Sequence, residues 1–214
     1  MTYTIKKTSC NNLEKIDWSQ ADGIELKNYM GSKPEHFPNV LAKLLYNDKN
    51  IFVCFRVEDR YVRAAAQKLQ GPVCRDSCVE FFFTPGEDIA DGYFNLEINC
   101  GGTILLKHQT TRSTNTIAVS DSDCKKIEVK TTLPKIVEPE IKEPTIWTLQ
   151  YALPIEILER YAKVSKPAEG VKWRANFYKC ADDTSHPHWL TWAPIDRPMP
   201  DFHQPDFFGT IFFK

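Results

Sequence analysis

The chain has 214 residues, 42% of them hydrophobic and 26% charged, with 27 basic against 28 acidic side chains and a net charge of -1. This is the composition of an ordinary globular protein, within reach of one large β domain and long for two well-cored ones. It gives no global field to hold nucleic acid or an anionic membrane, and no apolar run approaches the roughly 20 residues of a membrane-spanning helix.

Met1 to Cys10 is polar, without the apolar stretch of a secretory leader. The chain therefore reads as cytoplasmic, or as periplasmic or extracellular if a leader has been removed. Seven cysteines, at positions 10, 54, 74, 78, 100, 124 and 180, are odd in number and scattered. Cys54, Cys78 and Cys100 fall inside strand patterns, where a free thiol packs as a small apolar group, so free thiols are expected at most of them. Cys74 and Cys78 have no second pair or histidines at zinc-ligand spacing.

Strand signals are frequent. Leu41 to Tyr46 is apolar, Asn47-Asp48-Lys49-Asn50 is a turn cluster, and Ile51 to Val57 alternates, which together predict a β-hairpin. Ser77 to Phe83 is a strand closed by Thr84-Pro85-Gly86. Tyr93 to Cys100 and Thr103 to Lys107 flank Gly101-Gly102, a pair suited to the positive φ of a tight turn. Ile127 to Thr131, Ile146 to Ala152, Val171 to Lys179 and Gly209 to Phe213 complete the set. Two segments suggest helix: the Ala-rich Tyr61 to Leu69, and Pro154 to Lys163, with proline at a first helical position. Pro134 to Pro144, rich in Pro, Glu and Lys, reads as an exposed connection. Fourteen prolines against nine glycines fit many connections and few long helices. The pattern predicts an all-β antiparallel sandwich with one or two short helices, forming one domain over residues 1–214.

Strand polarity is the guide to function. Tyr93, Asn95, Glu97 and Asn99 share one face of their strand, and Lys172, Arg174, Asn176 and Tyr178 share one face of theirs. Glu80 sits in the apolar run Cys78 to Phe83, and Gln150 is similarly embedded in Trp147 to Leu153. These faces read either as a polar floor suited to sugar hydroxyls or as the solvated outside of a sandwich. A carboxylate among aromatic neighbours needs partners, which favours the first reading for Glu80. The C-terminal aromatics Trp189, Trp192, Phe202, Phe207 and Phe208 divide between core and stacking platform. Trp192, before Ala193-Pro194, is expected exposed, with Phe202 as the other candidate platform. His186-Pro187-His188 below Asp182 and Asp183 is a weak metal pattern, and His203 is a polar contact or a structural hydrogen-bonding group. No Gly-x-Ser-x-Gly elbow, phosphate-binding glycine loop or His-Glu-x-x-His is present.

Several motifs resemble a known family in order and spacing. They are Ile16-Asp17-Trp18-Ser19-Gln20-Ala21, Asp76-Ser77-Cys78-Val79-Glu80-Phe81-Phe82, Tyr93-Phe94-Asn95-Leu96-Glu97-Ile98-Asn99, Trp173 to Lys179, Trp192-Ala193-Pro194, and Phe202-His203-Gln204-Pro205-Asp206-Phe207-Phe208-Gly209. Together they resemble a family 9 carbohydrate-binding module of the DOMON-like type, in its bacterial stand-alone branch, over about residues 15–214. The resemblance implies a β-sandwich, a non-catalytic sugar-binding role, association with glycoside hydrolases and, in many members, a structural calcium; no cofactor is required. The family pattern clamps a terminal sugar between two tryptophans above a glutamate, an arginine and an amide. Glu80 matches the glutamate and Asn176 the amide, whereas Glu97 stands at the arginine position. The clamp positions fall near Cys74 and Phe202, and neither is tryptophan here. The expected ligand-binding set is Glu80, Asn95, Glu97, Arg174, Asn176, Tyr178, His188, Trp192, Phe202 and His203, with no catalytic residue and no metal ligand. Two alternatives stand beside it: a haem-binding electron-transfer domain using Met199, His188 or His203, and a ligand-free interaction domain.

Overall fold

A computed structural model describes all 214 residues and contains sixteen strands and two one-turn helices. In chain order these are β1 (Thr2–Lys7), β2 (Ile24–Glu25), β3 (Asn28–Tyr29), β4 (Asn39–Tyr46), β5 (Asn50–Asp59), β6 (Val62–Ala64), β7 (Cys78–Thr84), β8 (Tyr93–Asn99), β9 (Ile104–Gln109), β10 (Ile117–Ala118), α1 (Asp121–Cys124), β11 (Glu128–Thr131), β12 (Val137–Ile141), β13 (Thr145–Pro154), α2 (Ile155–Leu158), β14 (Lys172–Cys180), β15 (Trp189–Thr191) and β16 (Gly209–Phe213). One sheet runs β10-β9-β8-β7-β14-β16-β1, and the other runs β11-β13-β5-β4, with β2 on the outer edge of β4. The two are joined by β1, which pairs in parallel with β16 through Thr2–Ile5 and then with β4 through Lys6–Lys7. Every other strand pair is antiparallel. The all-β sandwich expected from the sequence is the observed fold.

The period-2 pattern decides what each sheet buries. From β7, β8 and β14, Phe81, Phe83, Phe94, Trp173 and Phe177 point between the sheets. Their rings stack across strands, with Phe81 on Phe177 at 4.8 Å and Phe83 on Trp173 at 5.4 Å. The opposing sheet supplies Val53, Phe55, Val57, Trp147, Leu149 and Tyr151. The predicted hairpin is β4–β5, in register from Tyr46↔Ile51 to Asn39↔Glu58. Gly102, at φ +86°, closes the β8–β9 turn where a side chain would be strained.

Three expectations need correction. Tyr61 to Leu69 contains a strand, β6, and no helix. Val62 and Ala64 are drawn into the core, and the amides of Ala65 and Ala66 donate to the Asp76 carboxylate at 3.0 and 2.9 Å instead of closing a helical turn. The Pro134–Pro144 connection contains a strand, β12, which covers β6 from outside. The second helix is one turn, Ile155–Leu158, because β13 continues through Pro154. All seven cysteines are free.

Candidate functional site

The outer face of the β9-β8-β7-β14 sheet is neither solvated nor open. A second, smaller core forms on it, in which Cys78, Phe82, Tyr93, Leu105, Tyr178 and Cys180 from the strands meet Val73, Ile195, Phe202 and Phe208 from the loops. Within this cover lies a pocket of about 110 Å³ lined by Cys74, Glu80, Phe82, Glu97, Arg112, Cys180, Asp182, Trp189, Pro200, Asp201, Phe202 and His203. A larger hollow of about 590 Å³, between Asp48–Asn50 and Pro154–Pro167, has no aromatic ring in its lining.

Two carboxyl groups form the pocket floor. Glu80 on β7 and Glu97 on β8 are directly opposed across the strand pair, on the same face. They are 2% and 6% exposed. The Cys180 thiol donates to Glu80 Oε1 at 3.0 Å, and Asn95 Nδ2 donates to Glu97 Oε1 at 2.9 Å. Burial, followed by the neighbouring Glu97, pushes Glu80 well above the usual carboxylate range. Burial raises Glu97 to about 7. At the rim, Asp182 accepts from Trp189 Nε1 at 2.7 Å, which fixes the indole at the pocket wall, and Asp201 pairs with Arg112 at 3.2 Å. His203 Nδ1 lies 2.9 Å from both Tyr93 Oη and Gln109 Nε2. The amide can only donate, so Nδ1 is an acceptor and the ring proton is on Nε2. Burial, then the nearby Arg112 charge, lowers His203 to about 4, so it is neutral at pH 7.

Of the ten expected ligand residues, Glu80, Glu97, Phe202 and His203 line the pocket. Asn95 orients Glu97 from beside it, with its own Oδ1 accepting from Gln109 Nε2 at 3.3 Å. Tyr178 acts from beneath: its hydroxyl donates to the Phe202 carbonyl at 3.1 Å, and its ring stacks on Phe202 at 4.1 Å.

Arg174, Asn176, His188 and Trp192 lie elsewhere. Arg174 donates to the carbonyls of Phe208 and Gly209. Asn176, fully buried, donates to the Ala193 carbonyl at 3.0 Å and accepts from its amide at 2.8 Å. That two-point clamp draws the adjoining chain against the sheet, so Trp192 is 4% exposed, edge-on to Phe177, and packed where Gly209 lacks a side chain. It is a core residue and not the exposed platform expected of it; the tryptophan at the pocket wall is the half-buried Trp189. His188 belongs to a fully buried cluster between the sheets, where Lys179 Nζ lies 2.7 Å from His188 Nε2 and 3.2 Å from Asp59 Oδ2. Asp59 Oδ2 receives no well-aligned hydrogen bond, so that contact is an ion pair by proximity. Burial alone would raise Asp59, but the Lys179 charge and the His36 hydrogen bond hold it well below its ordinary value. Gln150 lies on the opposite sheet, across from Cys54.

The metal and haem patterns do not assemble. His186 stacks on Tyr61 at 3.6 Å while Asp182 faces the pocket. Met199 is exposed, His188 is engaged by Lys179, and His203 by Tyr93 and Gln109, so no axial pair forms. Cys78, Glu80 and Cys180 bring one ligand atom each within 4.8 Å of one another. Two sulfurs in a set of three suit a soft ion and do not fit calcium, which takes six to eight oxygens.

Sequence reasoning missed Arg112, Asp201 and Cys180, gave Asp182 to a metal pattern, placed Cys74 only near a clamp position and left Trp189 between core and platform. The signal was Asp182, seven residues before Trp189, but the fold of the intervening loop was needed to read it. A sandwich carrying a small pocket of opposed acids and aromatic walls is a ligand-binding module. Over residues 8–213 the chain matches the sequence profile of carbohydrate-binding family 9, and it belongs to that family. This family is non-catalytic, and the chain is a binding domain, not an enzyme. A candidate carbohydrate-binding protein from Bacteroides uniformis is 28% identical, with 100% of this chain and 99% of that one covered and a TM-score of 0.88. A family 9 module from Caldicellulosiruptor kristjanssonii, solved with glucose, is 15% identical, with 100% and 96% covered and a TM-score of 0.67. A cellotriose complex of a module from the same organism is 16% identical, with 100% and 94% covered and a TM-score of 0.67. No functionally curated protein matches the chain.

Proposed function

We propose that the Glu80–Glu97 pocket binds a sugar ring of a glycan. The observation that carries this reading is the pairing, in one cavity, of a buried carboxyl floor with the rings of Trp189 and Phe202 at its walls. A pyranose presents apolar C–H faces to aromatic rings and hydroxyls to polar groups, each hydroxyl able to donate and accept. Carboxyl groups raised by burial serve either way: protonated they donate, ionised they accept. Family membership supports the reading, as do the glucose and cellotriose complexes of modules with the same fold. A glycoside hydrolase system is the partner suggested by family resemblance. The test is a glycan array followed by calorimetry of the best ligand. Glu80→Gln should weaken binding about tenfold while the unfolding midpoint does not fall, as expected for one good polar contact. Unchanged affinity would place the ligand elsewhere.

A further inference from the structure

Charge in the pocket is unbalanced. Four carboxyl groups, Glu80, Glu97, Asp182 and Asp201, line it against one cation, Arg112. Arg112 is already paired with Asp201, and Glu80, Glu97 and Asp182 have no ion-pair partner. Lys107 and Arg112 are near enough to favour ionised Glu97, but neither makes an ion pair with it. The two floor residues are more than nine-tenths buried, and each uses only Oε1 in a hydrogen bond within the protein. Both line the cavity, so the remaining Oε2 atoms of two cross-strand neighbours are left to whatever occupies it, donating while protonated and accepting once ionised.

Accepting the sugar reading above, we infer that the preferred ligand is an amino sugar with a free, protonated amine, whose ammonium group bridges the Glu80 and Glu97 carboxylates. An ammonium offers three N–H donors, so it can satisfy both Oε2 atoms at once, whereas a hydroxyl has one proton to give. It also supplies the counter-charge that lets the buried pair ionise, with the carboxyl proton released to solvent as the ammonium binds, and charge-assisted hydrogen bonds are roughly twice as strong as neutral ones. N-acetylation would remove both the charge and two of the three donors.

Calorimetric titration of the full chain, with EDTA present to exclude metal, would use three hexoses: D-glucose, D-glucosamine and N-acetyl-D-glucosamine. The galacto and manno counterparts would be run alongside, so that hydroxyl stereochemistry does not decide the result. In the best-binding series the free amine should bind about tenfold tighter than the neutral hexose or the N-acetyl form at pH 7. The advantage should fall toward one in Glu97→Gln, and in Glu80→Gln if the first variant does not fold. A neutral or acetylated sugar binding as tightly as the amine would overturn the inference and leave the sugar reading standing. An undiminished amine preference in the folded variants would overturn the bridging geometry. Failure of every hexose and every glycan on an array to bind would overturn the sugar reading and this inference with it.

Discussion

Replacing Glu97 by Gln makes the cost of the buried acid measurable. Its carboxyl is raised from 4.5 to about 7 by burial. Below the unfolded value, both the folded and the unfolded chain carry the proton, and the residue costs nothing. As pH rises through the window from about 4.5 to 7, the unfolded chain releases the proton and the folded one resists. Stability is lost across that window and levels off above it. At about 1.36 kcal/mol per tenfold change in proton affinity, the full loss is roughly 3 kcal/mol. Glutamine keeps Oε1 to accept from Asn95 and has no proton to lose. Urea unfolding of both proteins, ligand-free, from pH 4.5 to 8 should show the variant gaining roughly 2–4 kcal/mol on the parent as pH rises. Because Glu80 titrates with Glu97, the transition belongs to the pair and will be broad. A stability difference that does not change with pH would refute the argument that the pocket floor holds a strained acid pair.

Lys179→Met should destabilise the chain by about 3–5 kcal/mol, because the buried Asp59 loses its lysine counter-charge and keeps only His36 and the Arg60 amide; denaturant unfolding reads this, and a change below about 1 kcal/mol would refute it. Trp192→Ala should cost about 3–5 kcal/mol of stability as a core cavity, measured the same way. Trp189→Ala, by contrast, should leave the unfolding midpoint near that of the parent and weaken sugar binding about tenfold by titration. Thiol titration under denaturing, non-reducing conditions should recover all seven cysteines.

The sequence was most legible where one interaction dominates. Alternation in Ile51 to Val57 and in Tyr93 to Asn99 reflects a face buried against the other sheet, so β5 and β8 could be read directly. Tyr61 to Leu69 misled because its alanines signal helix, while the buried Asp76 carboxylate, eleven residues on, takes the amides a helix would use. Tertiary contact overrode local propensity there. β1 was missed because only Tyr3 and Ile5 of its six residues are buried, and its role of joining two sheets is a property of the fold alone. Lys179 stood on the apolar face of its strand pattern, beside Trp173 and Phe177, and the ion cluster with Asp59 is what that anomaly meant. At the site, Glu80 could be found because it breaks an apolar run, Glu97 because it stands on the polar face of its strand, and Phe202 and His203 because they sit in a motif. Trp192 was expected exposed and is buried, while Trp189 stands at the pocket. Their exposures follow from the Asp182 and Asn176 hydrogen bonds, each fixed by how a loop returns to β14.

The most direct test of the account is a crystal structure of the chain with the tightest sugar found by array. The account predicts one ring in the pocket, against Trp189 and within hydrogen-bond distance of the Glu80 and Glu97 carboxyl groups. A ring bound on another surface, with this pocket holding only water, would contradict it.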